Sequence, residues 1–265
     1  MLRYSGEFYF VLGSDIVLKI NYFDISKKLL SQIKKNFDFF IKDEYYCKNF
    51  FELEIYTNNI KRYLKNKKIF KFLRKDVELF YDNKKFYGII SENIFSFDTL
   101  LRILSSLVIL KNNGIILHSS SIVENRKSIL YVGPSGFGKS TIAKKCERNK
   151  ILTDELSILF FENNKLISVR SPFWGELKYS FSKKDSVEEK FVVDRIMFLC
   201  GFVKNDRPKV EVLSFKEAVI LLLKNLFWVV KDEIYNERIL RIVIKIAKTT
   251  NCYKFYPLYE IQNKT

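Results

Sequence analysis

Gly133-Pro134-Ser135-Gly136-Phe137-Gly138-Lys139-Ser140 decides how this 265-residue chain is read. It satisfies G-x-x-x-x-G-K-[ST] at every fixed position. Glycines at this spacing let the backbone curl until consecutive N–H groups point at phosphate oxygens, in conformations that a Cβ resists. The lysine adds a point charge over the β- and γ-phosphates, and the Ser140 hydroxyl is placed to ligate Mg²⁺. The flanks fit as well: Ile129–Val132 reads as a strand, and Thr141–Lys145 opens a helix whose positive dipole end meets the phosphates. The predicted nucleotide contacts are Gly133, Ser135, Gly136, Phe137, Gly138, Lys139, Ser140 and Thr141, with ATP and Mg²⁺ as the ligands.

Upstream of the loop, Ile115–Val123 and Ser128–Val132 are β-rich runs joined by the polar turn Glu124–Lys127. This pattern predicts an antiparallel hairpin, whereas parallel neighbours need a crossover connection. Downstream, Ile151-Leu152-Thr153-Asp154-Glu155 is an apolar run ending in two acids. Asp154 follows Lys139 by 15 residues, room for one helix and a turn that return the acids to the phosphates. The chain therefore departs from a doubly wound P-loop sheet.

Leu117-His118-Ser119-Ser120-Ser121, the hairpin, Gly133–Thr141 and Leu152-Thr153-Asp154-Glu155 together resemble the HPr kinase/phosphorylase superfamily. The closer likeness is to HPr-kinase-like proteins that phosphorylate serine on ribosomally made peptides, lasso peptide precursors included. Ser171-Pro172-Phe173-Trp174-Gly175-Glu176 resembles their downstream P-F-W-G-E stretch. The likeness spans roughly residues 97–260. It implies an α/β fold with a mixed sheet, shared with phosphoenolpyruvate carboxykinase, and an ATP- and Mg²⁺-dependent serine kinase acting on a peptide or small protein.

By the same resemblance Asp154 is the general base, Lys139 holds the phosphates and His118 lies near the nucleotide. Glu155 and Glu176 join Ser140 around the metal. The E-x-R-G-x-G signature of true HPr kinases is absent, so HPr itself and the reverse reaction are not expected. The residues alone leave three alternatives open: a kinase for free serine or a sugar, a nucleotide-binding regulatory module without transfer, and, from the charge alone, a nucleic-acid-stimulated ATPase. Phe173 and Trp174 read either as an adenine platform or as a packed corner.

Composition bounds the rest. The chain is 48% hydrophobic and 16% aromatic with 9 Gly and 4 Pro, enough apolar area to offset chain entropy, which excludes a disordered or low-complexity protein. Arg102 and Lys224 interrupt the longest apolar stretches, well short of the roughly 20 apolar residues of a membrane span. No cleavable leader is expected at the N-terminus. Four scattered cysteines and one histidine argue against a zinc site or a disulfide framework, and point to a cytoplasmic protein.

The net charge of +16 accompanies many Lys, Asn and Ile residues, a codon-bias pattern. No nucleic-acid-binding motif goes with it, so no specific nucleic acid is expected. The reading leaves room for a homo-oligomer.

Two domains are expected, 1–95 and 96–265. The first is a small α/β unit with a hairpin at Gly13-Ser14, a helix carrying Leu29, Leu30, Ile33 and Phe37, a strand at Phe51–Tyr56, and a second hairpin turning at Asp82–Lys85. The second begins with a helix at Phe97–Lys111, N-capped by Ser96. It closes with a strand at Phe191–Phe202, a loop at Val203–Lys209, a Ser214–Glu217 capping box opening a helix to Phe227, a basic amphipathic helix at Ile234–Lys248, and a last strand at Tyr253–Pro257.

Overall fold

Alternation builds the N-terminal sheet: Phe8 and Phe10 are buried while the alternate residues Glu7 and Tyr9 are not. The computed structural model describes residues 3–13, 16–46, 50–57, 60, 64, 67–70, 76–82, 85–177, 185–203, 207–230 and 233–258. It divides into two compact units. The first comprises residues 1–112, 186–189 and 228–238; the second comprises 113–185, 190–227 and 239–265.

In the first unit, β1 (Tyr4–Val11), β2 (Val17–Phe23), β3 (Ile41–Lys42), β4 (Phe51–Tyr56), β5 (Lys68–Phe70), β6 (Val77–Asp82) and β7 (Lys85–Ile90) form one sheet, in the order β3-β1-β2-β4-β7-β6-β5. The β2–β4 and β4–β7 pairs are parallel and the others antiparallel. Both expected hairpins are present; Ser14, Asn83 and Lys84 of their turns lie outside the described residues, as does Cys47.

Helix α1 (Lys27–Phe37) buries Leu29, Ile33 and Phe37 and is capped by the Ser26 hydroxyl, which accepts the Leu29 N–H. Helix α2 (Ile94–Lys111) starts three residues before Phe97 because Asn93, not Ser96, is its cap, accepting the Ser96 N–H at 2.9 Å. Ser96 is itself buried and donates its hydroxyl to Asp76 at 2.7 Å. The units divide after Asn112 rather than at residue 95, because α2 packs on α1, β6 and β7. No described helix is long and apolar enough to cross a membrane.

The second unit contains β8 (Gly114–Glu124), β9 (Lys127–Val132), α3 (Lys139–Lys144), β10 (Ile151–Thr153), β11 (Leu156–Glu162), β12 (Lys165–Val169), β13 (Lys190–Leu199), β14 (Lys209–Val212), α4 (Phe215–Lys224), α5 (Asn236–Thr249) from residue 239 onward, and β15 (Asn251–Tyr256). The β8–β9 hairpin forms as expected, with Asn125 and Arg126 in the left-handed region at its turn. β11 and β12 form a further hairpin that the sequence reading did not identify, turning through Asn163 and Asn164, again both left-handed.

The pairings close on themselves: β8 pairs β11 and β9, β11 pairs β12, β12 pairs β13, and β13 pairs β9. β13 lies parallel to β9 and to β15, so the sheet is mixed, as the fold class requires. The expected helix to Phe227 stops at Lys224, because Leu226 bridges to Leu117 and the Phe227 N–H bonds Ile116 O. The Ser214–Glu217 capping box is formed. Part of the expected loop Val203–Lys209 lies outside the described residues.

Candidate active site

Strand β9 ends at Val132 and delivers the chain into residues 133–138, which lead directly into α3. Gly136 and Gly138 sit at φ +82° and +89°, where a side chain is strained. Nothing lies within 4 Å of the position a Gly136 Cβ would occupy, so the loop presents open space there. Pro134, Ser135, Gly136 and Thr141 are exposed, and Phe137 and Ser140 half-buried.

Lys139 behaves differently: only 7% exposed, it folds back on its own loop, its Nζ donating to Gly133 O at 2.8 Å and Pro134 O at 2.9 Å. Burial pushes its ammonium below the usual lysine range, and the nearby charge of Glu155 works in the opposite direction. The loop lysine and the second acid of the pair thus share one electrostatic neighbourhood. Beneath them the Ser120 hydroxyl of β8 donates to Lys139 O at 3.3 Å, tying the helix start to the sheet.

His118 stands two residues before Ser120, on the same face of β8. Its N–H donates to Asn225 O, and the following Ser119 N–H donates to Glu155 O at 2.9 Å. This backbone bond joins the histidine strand to the acidic pair.

Asp154 is 2% exposed, and both of its oxygens are engaged. Oδ1 accepts the Gly175 N–H at 2.8 Å, and Oδ2 accepts the Leu177 N–H at 2.9 Å. Thr153, fully buried, completes the attachment: its hydroxyl donates to Phe173 O at 2.6 Å and accepts the Glu155 N–H at 3.1 Å. Three hydrogen bonds therefore fasten the 153–155 strand end to the segment 173–177, and a fourth braces the strand end itself. Thr153 and Ser120 had no role in the sequence reading, since a hydroxyl that bonds backbone leaves no spacing pattern.

Phe173 is wholly buried, and the Trp174 Nε1–H donates to Ser171 O at 2.7 Å. Trp174 also packs beside Ile122, Ala143 and Met197. The two rings make a packed corner, the second of the two sequence readings. Glu176 is exposed and pairs with Lys144 of α3 at 2.9 Å.

No group of three or more His, Cys, Asp or Glu that could hold a metal occurs among the described residues. Mg²⁺ at a phosphate site does not need one, since it keeps waters and takes substrate phosphate oxygens with one or two protein ligands. Ser140 in the first turn of α3 and Glu155, whose charge acts on Lys139, are the residues that could supply them. The left-handed glycines and the open loop suit a phosphate chain. Together these groups can bind phosphate, offset its charge and hold a carboxylate close to it.

No family model and no curated protein matches the chain. Among solved structures it is similar to the Hpr(Ser) kinase/phosphatase from Coxiella burnetii, at 14% identity over 56% of this chain and 82% of that one, with a TM-score of 0.31.

Proposed function

We propose that the chain is an ATP- and Mg²⁺-dependent kinase of the HPr-kinase-like group, which transfers the γ-phosphoryl group to a serine hydroxyl on a peptide or small protein. The observation that carries this reading is the complete Gly133–Ser140 motif on a strand–loop–helix, with Glu155 close enough to act on the charge of Lys139. An accidental glycine turn would need neither the flanks nor the acid. In this reading Lys139 leaves the carbonyls of Gly133 and Pro134 and turns to the phosphates. The loop N–H groups offset the charge that spreads over the equatorial oxygens.

Asp154 accepts the proton of the serine hydroxyl. Its bonds to Gly175 and Leu177 orient the carboxylate, and each oxygen keeps a second lone pair. His118 completes the wall beside the acids. When bound, Mg²⁺ would neutralise phosphate charge; Ser140 and Glu155 would be its protein ligands, with Glu176 joining only if it leaves Lys144.

One observation favours a second reading. Both Asp154 oxygens are already bonded to backbone, which also suits a structural latch in a regulatory module that binds nucleotide without transfer. Incubation with Mg²⁺ and γ-labelled ATP, against serine peptides, free serine and a sugar panel, separates the readings. Label on a peptide, lost in Lys139→Ala together with nucleotide affinity, supports the kinase. Asp154→Asn should keep binding and lose transfer. Its fold is checked by circular dichroism, because the amide places a donor where an acceptor stood. Binding without transfer to any acceptor selects the module.

A further inference from the structure

Strands β9 and β13 run parallel and end together, with Val132 opposite Phe198, so the chain leaves both at the same edge of the sheet. The space beyond the carboxyl ends of parallel strands is where α/β sheets receive their ligands. From β9 the chain enters the phosphate loop. From β13 it continues through Cys200-Gly201-Phe202-Val203, and this segment flanks that loop. The Leu199 Cβ lies 3.0 Å from the position a Gly133 Cβ would take, and Cε1 and Cζ of Phe202 lie 3.7 Å from the corresponding position at Gly138. The outer end of the Phe202 ring therefore rests against the glycine that precedes Lys139.

The backbone holds the ring there. The Cys200 N–H donates to Phe255 O at 3.1 Å and the Val203 N–H to Pro257 O at 3.0 Å, so the segment is tied to the chain around the end of β15 on both sides of Phe202. Gly201 between these bonds sits at φ +132°, a conformation that a side chain resists. Phe202 touches its neighbours and still has 45% of its surface exposed. By contrast, Phe173 and Trp174, the aromatic pair that the sequence offered to adenine, form a packed corner in which Phe173 has no exposed surface.

We infer that Phe202 is the platform on which the base of the bound nucleotide stacks. The inference rests on the nucleotide-binding reading of the loop and adds the group that tells a nucleotide from a bare phosphate chain. The base hangs from the phosphates by a ribose and settles on what borders the loop; at Gly138 that border is the Phe202 ring. Stacking needs a flat π surface and no hydrogen-bond partner, and a half-exposed phenyl ring supplies one. Purines present the larger surface, so ATP and GTP should bind more tightly than CTP and UTP.

Calorimetric titration of the full chain at physiological salt, with the Mg²⁺ complexes of ATP and of inorganic tripolyphosphate, tests this. Tripolyphosphate carries the same phosphate chain without ribose or base. The parent chain should prefer ATP. Phe202→Ala should weaken ATP at least about tenfold and tripolyphosphate less than about twofold. Phe202→Tyr should keep the parent's preference, whereas Phe202→Leu, apolar but not planar, should behave like alanine. Phe215→Ala removes a similarly exposed ring at the start of α4 and should change neither affinity. Equal weakening of both ligands in Phe202→Ala overturns the inference, because the ring then supports the loop and not the base. Unchanged ATP affinity in Phe202→Ala, or full affinity in Phe202→Leu, overturns it as well; in each of these results the nucleotide reading of the loop stands. A parent chain that binds neither ligand removes that reading and the inference together.

Discussion

Replacing Thr153 by valine keeps the shape of a fully buried side chain and deletes one hydroxyl. That hydroxyl serves two buried backbone groups, Phe173 O and the Glu155 N–H. Each group left unpaired costs about 1–3 kcal/mol, and the added methyl returns about 0.8 kcal/mol. A net loss of about 3 kcal/mol is expected, which lowers the melting midpoint of the second unit by roughly 6–12 °C. Thr153→Ser retains the hydroxyl and should lose only about 1 kcal/mol for the missing methyl. Thermal unfolding followed by tryptophan fluorescence reads this directly, because Trp174 sits within the same fastened segment. In the folded temperature range, valine should also lower label transfer while nucleotide affinity stays within twofold, with serine restoring it. Equal damage by serine and valine, or valine within 0.5 kcal/mol of the parent, would refute the hydrogen-bond argument.

Three other outcomes follow from buried or paired charges. Arg170 and Asp185 form an ion pair with side chains 3% and 10% exposed, so Arg170→Met should cost about 3–5 kcal/mol in chemical denaturation, most of it recovered by adding Asp185→Leu. Glu217 is held at about 2, first by the hydrogen bond from Lys254 and then by Ser214. Its folded value lies below its unfolded one, so its contribution is complete above about 4.5 and disappears as pH falls toward 2. Glu217→Gln should flatten the melting midpoint against pH across that window, lowering it at neutral pH and leaving it nearly unchanged near pH 2. Burial pushes the Cys252 thiol up to about 12, so mass mapping after treatment with a thiol reagent at pH 8 should find Cys252 unlabelled until the chain is unfolded.

The strongest sequence signals were local ones. The loop motif, the β8–β9 hairpin, the capping box at Ser214 and the helix of Leu29, Ile33 and Phe37 are each written within a dozen residues, and each is present. The β11–β12 hairpin went unseen although its Asn163-Asn164 turn is of the same kind as Asn125-Arg126. Its strands run together with the apolar segment after Glu155, where periodicity cannot separate buried strands from one another. Ser96 was read as a cap because it precedes an apolar run, yet Asn93 lies equally close and its amide oxygen accepts the Ser96 N–H. The acidic pair was legible as composition and spacing. What holds it was not: the contacts from Gly175 and Leu177 to Asp154 are backbone donors 21 and 23 residues away.

Strand β15 has a consequence for synthesis. It is the last described strand to leave the ribosome, yet it lies in the interior of the sheet, between β13 and β14. Until residues 251–256 emerge, the nascent chain presents the free side of β13 from Arg195 to Leu199, an unpaired apolar edge of the kind that invites association with other chains. A product of premature termination before Asn251 would keep the whole phosphate loop and still lack the strand that seals the sheet. Such a fragment is a substrate for chaperones and proteases rather than a smaller working protein.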